Sequence, residues 1–170
     1  MPASQGGRRV ASDEEFLPAS KEELAMAVTV KKVTLWRSEV ENKSGVLANA
    51  LEPLAKAGAD LQVVMGYRYP GNQSKAALEL YPVSGKKSMA AAQAAGLSAS
   101  AIPTLLVEGD NRAGLGYATT KAIAEAGINL SFLVVQVTGK KYLAVFGFET
   151  EADASKAATL IKKATASKKK

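Results

Sequence analysis

Two short stretches bring together side chains that could do chemistry: Glu41-Asn42-Lys43-Ser44-Gly45 and Asp110-Asn111-Arg112-Ala113-Gly114. Each runs acid, amide, base, small residue, glycine, and the second follows the first at an offset of 69 positions. The carboxylates can accept from an ammonium group, and the amides offer both a donor and an acceptor. Gly45 and Gly114 have no side chain to hold a ligand away from the backbone. Where such a stretch opens a helix, unpaired backbone N–H groups lie at the positive end of the helix dipole, a receptor for carboxylate or phosphate. A carboxylate receptor beside an ammonium acceptor describes a site for a free amino acid. The same residues have a plainer use. Asn and Asp ahead of a helix are ordinary caps, glycine there lets strand and helix pack closely, and Lys43 and Arg112 serve as solvated charges.

The elements that must position these stretches repeat with them. "VTLWRSEV" from Val33 and "IPTLLVEG" from Ile102 are β-branched and aromatic enough for strands that run straight into the loops. Beyond the loops, Val46, Leu47, Ala50, Leu51 and Leu54 fall on one helical face, as do Leu115, Ala118, Thr119, Ala122, Ile123 and Ala126. Gly58 and Gly127 follow as stop signals that accept a left-handed backbone. Pro53 conflicts with the first helix, which is expected to kink there or end early. "LQVVMGYRY" and "LSFLVVQVT" read as second strands, "AALELYPV" and "YLAVFGF" as third strands joined through hairpins. A second helix closes each copy: "KKSMAAAQAAG", and "EADASKAATLIKKA" with Thr150 as its N-cap.

A fourth strand is harder to find. "LSASA" is a feeble candidate and "TASKKK" is none, whereas "AVTVKK" (27 to 32) lies over "GLSASA" (96 to 101) at the same offset. Each copy is therefore expected to carry its edge strand ahead of its first strand. A repeat near seventy residues exceeds the usual solenoid unit, so each copy reads as a small domain. The division expected is a flexible arm over 1–25 with one helical turn near Lys21 to Leu24, units over 26–96 and 97–164, and a basic tail over 165–170. Domains this small bury little of their surface alone, so packing of copy on copy or homo-oligomerisation is expected.

Composition removes most catalytic designs. The 170 residues include no cysteine and no histidine, which excludes disulfides, thiolate chemistry, imidazole bases and the usual zinc and haem ligands. No metal or cofactor is expected. The lysines at 162, 163, 168, 169 and 170 account for all but one unit of the net +6, so the body is nearly neutral. A lysine tail can hold nucleic acid loosely, but it also keeps a chain end solvated, and a nucleic-acid partner is not expected. "KYLAVFGFE" lacks the alternating glycine and aromatic pattern of RNA-binding sheets, and "GDNRAGLG" lacks the Gly-Lys-Ser/Thr ending of a P-loop. Tyr142, Phe146 and Phe148 share a face suited to packing, Tyr67 and Tyr69 flank Arg68 on a hairpin strand, and Trp36 reads as a core or interface anchor. No stretch is long and apolar enough to cross a bilayer, and the first sixteen residues lack a signal-peptide core, so no membrane association and a cytoplasmic location are expected.

Over about residues 27 to 164 the chain resembles a tandem of ACT domains, the small ferredoxin-like modules that sense amino acids. The resemblance rests on Glu41-Asn42-Lys43-Ser44-Gly45-Val46-Leu47 and Asp110-Asn111-Arg112-Ala113-Gly114-Leu115-Gly116, with "LAKAGADL" and "IAEAGINL" closing each helix. Its pattern departs at Ser44 and Ala113, where that family often has proline. The resemblance implies an α+β fold of two βαββαβ-type units, antiparallel sheets with helices on one face, and no catalytic role. It implies an amino-acid ligand where the loop of one unit meets the second strand of a neighbouring unit, which would add Asn129, Ser131 or Gln62 to the site. Signalling would follow by linkage, the ligand favouring one assembly or partner contact by its difference in affinity between two states. A ligand-free interaction module and a nucleic-acid binder are the alternatives.

Overall fold

The computed structural model describes residues 28–166. The N-terminal arm with its helical turn, and Ser167 to Lys170 of the basic tail, lie outside the described residues. Twelve elements follow in order: β1 (Thr29–Val33), β2 (Trp36–Glu41), α1 (Val46–Lys56), β3 (Val63–Arg68), β4 (Lys75–Tyr81), α2 (Lys86–Ala94), β5 (Ser98–Ala99), β6 (Thr104–Asp110), α3 (Leu115–Glu125), β7 (Leu130–Thr138), β8 (Lys141–Phe148) and α4 (Glu151–Thr165). They form two four-stranded sheets, β3-β4-β2-β5 and β1-β6-β8-β7, with every pairing antiparallel. The chain is α+β, with two ferredoxin-like units.

The fourth strands sit where the spacing does not place them. A strand does cover residues 29 to 33, but β1 pairs with β6 of the second unit, Val33 opposite Thr104 and Thr29 opposite Glu108. The feeble "LSASA" supplies β5, whose two residues pair with Trp36 and Arg37 of the first unit. The first unit is therefore a complete βαββαβ run from β2 to β5, enclosed within a second unit that takes its fourth strand from upstream. This corrects the boundaries at 26–96 and 97–164, since the sheets cross that division. The reason is geometric: the edge of β6 is open to whichever strand reaches it, and the short link from β1 to β2 lets residues 29–33 do so while β2 starts the other sheet.

Side-chain alternation builds three apolar clusters. Trp36 and Leu80 face helices α1 and α2, packing with Leu54, Ala92 and Leu97. Leu105, Val107, Ala144, Phe146 and Phe148 face α3 and α4, against Leu115, Ile123, Ala154, Ala157 and Ile161. Residues of opposite parity meet from both sheets, Leu35 and Val63 against Leu106 and Val145, so the helix-free faces share a buried seam. That seam explains the unbroken buried run Thr104 to Val107, since a strand covered on both faces has no reason to alternate. Each fully buried leucine contributes about 1.5–3 kcal/mol.

The helix signals hold with one exception. Gly58 and Gly127 end their helices at φ +76° and +72°, and the Thr150 hydroxyl accepts from the Asp153 amide at the start of α4. Pro53 does not end α1 early; the helix runs through it to Lys56. Proline removes only the bond to the Asn49 carbonyl, and Asn49 lies on the exposed side, open to solvent, while Ala50 and Leu54 stay buried against the sheet.

Candidate functional site

Both loops join a first strand to a helix, and in both the glycine itself is the N-cap. Gly45 has φ +88° and Gly114 φ +77°, a left-handed backbone open to glycine at little cost. Neither helix has a side-chain cap. The carbonyls of Gly45 and Gly114 accept from the Asn49 and Ala118 amides at 2.9 Å. Asn42 and Asn111 therefore do not act as the caps that their type permits, and the first-turn amides of Leu47 and Ala48, and of Gly116 and Tyr117, receive no side-chain oxygen. These groups at a helix N-terminus attract anionic oxygen.

The two loops differ in what surrounds them. In the first, Asn42 Nδ2 donates to the Gln73 carbonyl at 2.8 Å, tying it to the hairpin before β4, and Lys43 Nζ lies 3.1 Å from Glu41. That contact holds the exposed Glu41 carboxyl below its usual range. The adjoining hollow, about 180 Å³, is a surface groove lined by Glu41, Asn42, Lys43, Val46, Leu47 and Arg68 among others. In the second, Asp110 pairs with Lys141 at 2.5 Å, and Arg112 turns away to donate to the Ala164 carbonyl at the end of α4. The adjoining hollow is about 50 Å³ and mostly apolar, bounded by Asn111, Leu115, Gly116, Thr119, Leu133, Val135, Tyr142, Phe146 and Ile161.

Ser44 and Ala113 sit exposed in the turns before the two glycines. Asn129, Ser131 and Gln62 are not brought to either loop within the chain. Asn129 donates to Glu149 at 2.9 Å, and the Gln62 amide bonds the Tyr81 carbonyl, at the ends of their strands remote from the loops. Along β7, Ser131 and Thr138 are about seven residues apart, roughly 23 Å of strand. The neighbouring-unit role that the resemblance implies for them would require another copy.

Sequence reasoning missed two features. The first is a polar cluster on the helix-free face of the first sheet. Glu79, fully buried, accepts from Arg37 at 2.7 Å and Tyr67 at 2.8 Å through Oε1. Arg37 also donates to Tyr69 and, at 3.2 Å, to Glu39, which accepts from Tyr69 at 2.7 Å. The hydroxyls of both tyrosines are thus engaged with carboxylates. Alternating parity of Arg37, Glu39, Tyr67 and Glu79 on one face was a readable signal. The second is Tyr142, one of the aromatics assigned to packing. It is buried in the core, but its hydroxyl has no hydrogen-bond partner among the described residues. No sequence signal marks a hydroxyl that lacks a partner.

Burial and the carboxylate of Glu79 push the Tyr67 hydroxyl up to about 12. A raised value means that the folded state holds this proton longer than the unfolded chain, whose tyrosines ionise near 10. Stability is then constant below about pH 9 and falls as pH rises from about 10 to 12. Urea midpoints across that range should decline more steeply for the native chain than for Tyr67→Phe; equal slopes would contradict the assignment.

Among the described residues, no helix is long and apolar enough to cross a membrane, and no three His, Cys, Asp or Glu side chains gather as metal ligands. No protein-family model matches the chain, and no curated protein matches it. Solved structures do. A protein from Bacteroides thetaiotaomicron is 15% identical with a TM-score of 0.63, covering 76% of this chain and 88% of its own. The ligand-free regulatory subunit of aspartate kinase from Thermus thermophilus is 12% identical, TM-score 0.54, over 81% of this chain and 95% of its own. Its counterpart from Thermus flavus is 14% identical, TM-score 0.53, over 81% and 96%. At such identities the likeness is one of fold, two ferredoxin-like units in tandem.

Proposed function

We propose that this chain is a regulatory protein that binds a free amino acid, or a similar small metabolite bearing a carboxylate, at its strand-to-helix loops. The observation carrying this reading is that both helices begin on a left-handed glycine without a side-chain cap, beside a hollow. A carboxylate would accept from the first-turn amides, while Asn111, Asp110 and their counterparts Asn42 and Glu41 would face the ammonium group. Two of the similar folds are regulatory subunits of an amino-acid kinase, and the described residues offer no histidine or cysteine for catalysis, which supports regulation over chemistry.

The signal would pass through assembly. β7 is a nine-residue edge strand with Leu133, Val134, Val135 and Val137 exposed, and an edge of this length and apolarity invites pairing with another strand. A second copy added along β7 would roof the hollow beside α3 and bring that copy's own residues toward the loop. A ligand held at the seam would favour the paired state by its difference in affinity for the two states.

A thermal-shift screen of the twenty amino acids tests the reading. A ligand at a hundred times its dissociation constant adds about 2.7 kcal/mol, a rise of several degrees in a protein of this size. Sedimentation velocity with the same ligand should show a change in mass. A flat screen with an unchanged oligomeric state would leave the exposed edge as a ligand-free interaction surface and end the sensor reading.

A further inference from the structure

The strand registers allow the two units to be compared residue by residue. Glu41 faces Lys75 as Asp110 faces Lys141, Ser38 faces Leu78 as Val107 faces Ala144, and Val40 faces Ala76 as Gly109 faces Tyr142. By the offset of 69, Leu47 on α1 corresponds to Gly116 on α3. The space between helix and sheet is therefore furnished differently. In the first unit Leu47 and Leu78 converge on Gly66: a Cβ added there would lie 3.8 Å from Leu47 Cδ2 and 3.4 Å from Leu78 Cδ2. In the second unit both leucines are gone, replaced by Gly116 and Ala144, and the apolar hollow occupies that space.

That hollow carries one polar group with nothing to bond. Tyr142, only 9% exposed, lines it, and its hydroxyl is buried without a partner among the described residues. The ring lies over Gly109, where a Cβ would sit 3.0 Å from a ring carbon, so glycine is what permits this placement. A buried hydroxyl left unpaired is destabilising, a cost that a ligand acceptor would remove. Burial pushes the hydroxyl's pKa up, opposed by the nearby Arg112 charge, so it stays a donor at neutral pH.

We propose that the hollow of the second unit selects a free amino acid with a small aliphatic side chain, such as valine or leucine. Its side chain would enter the hollow between Leu115, Gly116, Val135 and Phe146, and its carboxylate would accept from the first-turn amides of α3 and from Tyr142. A volume of about 50 Å³ suits a short branched aliphatic chain and leaves too little room for an indole. Charged side chains are disfavoured, because nothing in the hollow beyond Tyr142, Asn111 and two threonines could meet them. The first unit's groove is wider, about 180 Å³, and is walled in part by Glu41, Lys43 and Arg68, so it offers no comparable apolar fit. This inference rests on the reading of the loops as amino-acid sites.

Titration calorimetry on the full chain tests it, with valine, leucine and isoleucine against aspartate, lysine and glutamine. The expected result is one site per chain and at least tenfold preference for the aliphatic set. Gly116→Leu places a leucine on the α3 wall of the hollow, as Leu47 stands on α1, and should weaken binding at least tenfold; a Cβ at that position meets nothing within 4 Å, so the fold accepts it. Tyr142→Phe should raise the melting temperature of the free protein and lower affinity at least fivefold, a pair of opposite effects that a purely structural tyrosine would not give. Two equal sites, a polar preference, or binding indifferent to both variants would overturn the inference while leaving the sensor reading intact. No heat with any of the six would overturn the inference, and the twenty-residue screen would decide separately whether the sensor reading survives.

Discussion

Arg37→Leu is expected to lower the unfolding free energy by about 3–5 kcal/mol, the cost of removing one partner from a buried ion pair. Glu79 has no exposed surface, and its Oε2 already lacks a partner among the described residues. Without the guanidinium at 2.7 Å, only the Tyr67 hydroxyl would remain on Oε1. The second unit provides its own control. Its equivalent cross-strand pair is Leu106 and Val145, both buried in the seam between the sheets. The double variant Arg37→Leu/Glu79→Val should therefore recover most of the loss, since well-packed apolar replacements of buried ion pairs are commonly neutral or stabilising. Urea unfolding of the two variants measures this directly. A loss below about 1 kcal/mol for the single change would show that water reaches Glu79 and that the pair behaves as an exposed one.

The exchange of fourth strands leads to a second large effect. A fragment spanning 97–170, the second unit as its sequence boundaries would define it, should fail to unfold cooperatively. It lacks β1, which pairs along five residues of β6, and loss of that strand turns a central, doubly buried run into an open edge. Val33, packed in the seam, and Val30, packed against the core of this unit, would go with it. A fragment over 28–170 in which residues 36 to 99 are replaced by a flexible linker retains all four strands and should regain a protected amide core by hydrogen exchange. Cooperative unfolding of the 97–170 fragment on its own would mean that β1 contributes little to the second sheet.

Much of the fold was legible because it depends on local chemistry. The 69-residue offset, the glycines that end α1 and α3, the Thr150 cap and the shared face of Tyr142, Phe146 and Phe148 on β8 each follow from one segment's own residues. Pro53 misled because the penalty for an interior proline is local, whereas the compensation, burial of Ala50 and Leu54, comes from the sheet. β5 was undervalued for the same reason: Ser98 and Ala99 have little strand character, and only the open edge of β2 makes them a strand. The candidate site was legible at its loops but not at its hollow. Glu41, Asn42, Asp110 and Asn111 announce themselves by type and spacing, while Gly116 and Ala144 matter through what they fail to fill.

By itself the sequence established that the chain is a duplicated α+β unit, that its loops combine acid, amide and glycine, and that histidine and cysteine chemistry is absent, since periodicity, turn chemistry and composition are properties of neighbouring residues. Only the tertiary structure decided which sheet each fourth strand joins, which carboxylate is buried with an arginine, and which unit has an apolar hollow beside its loop. Those outcomes depend on contacts between residues distant in the chain, where an alanine in place of a leucine on a facing strand reshapes a space that no local pattern records.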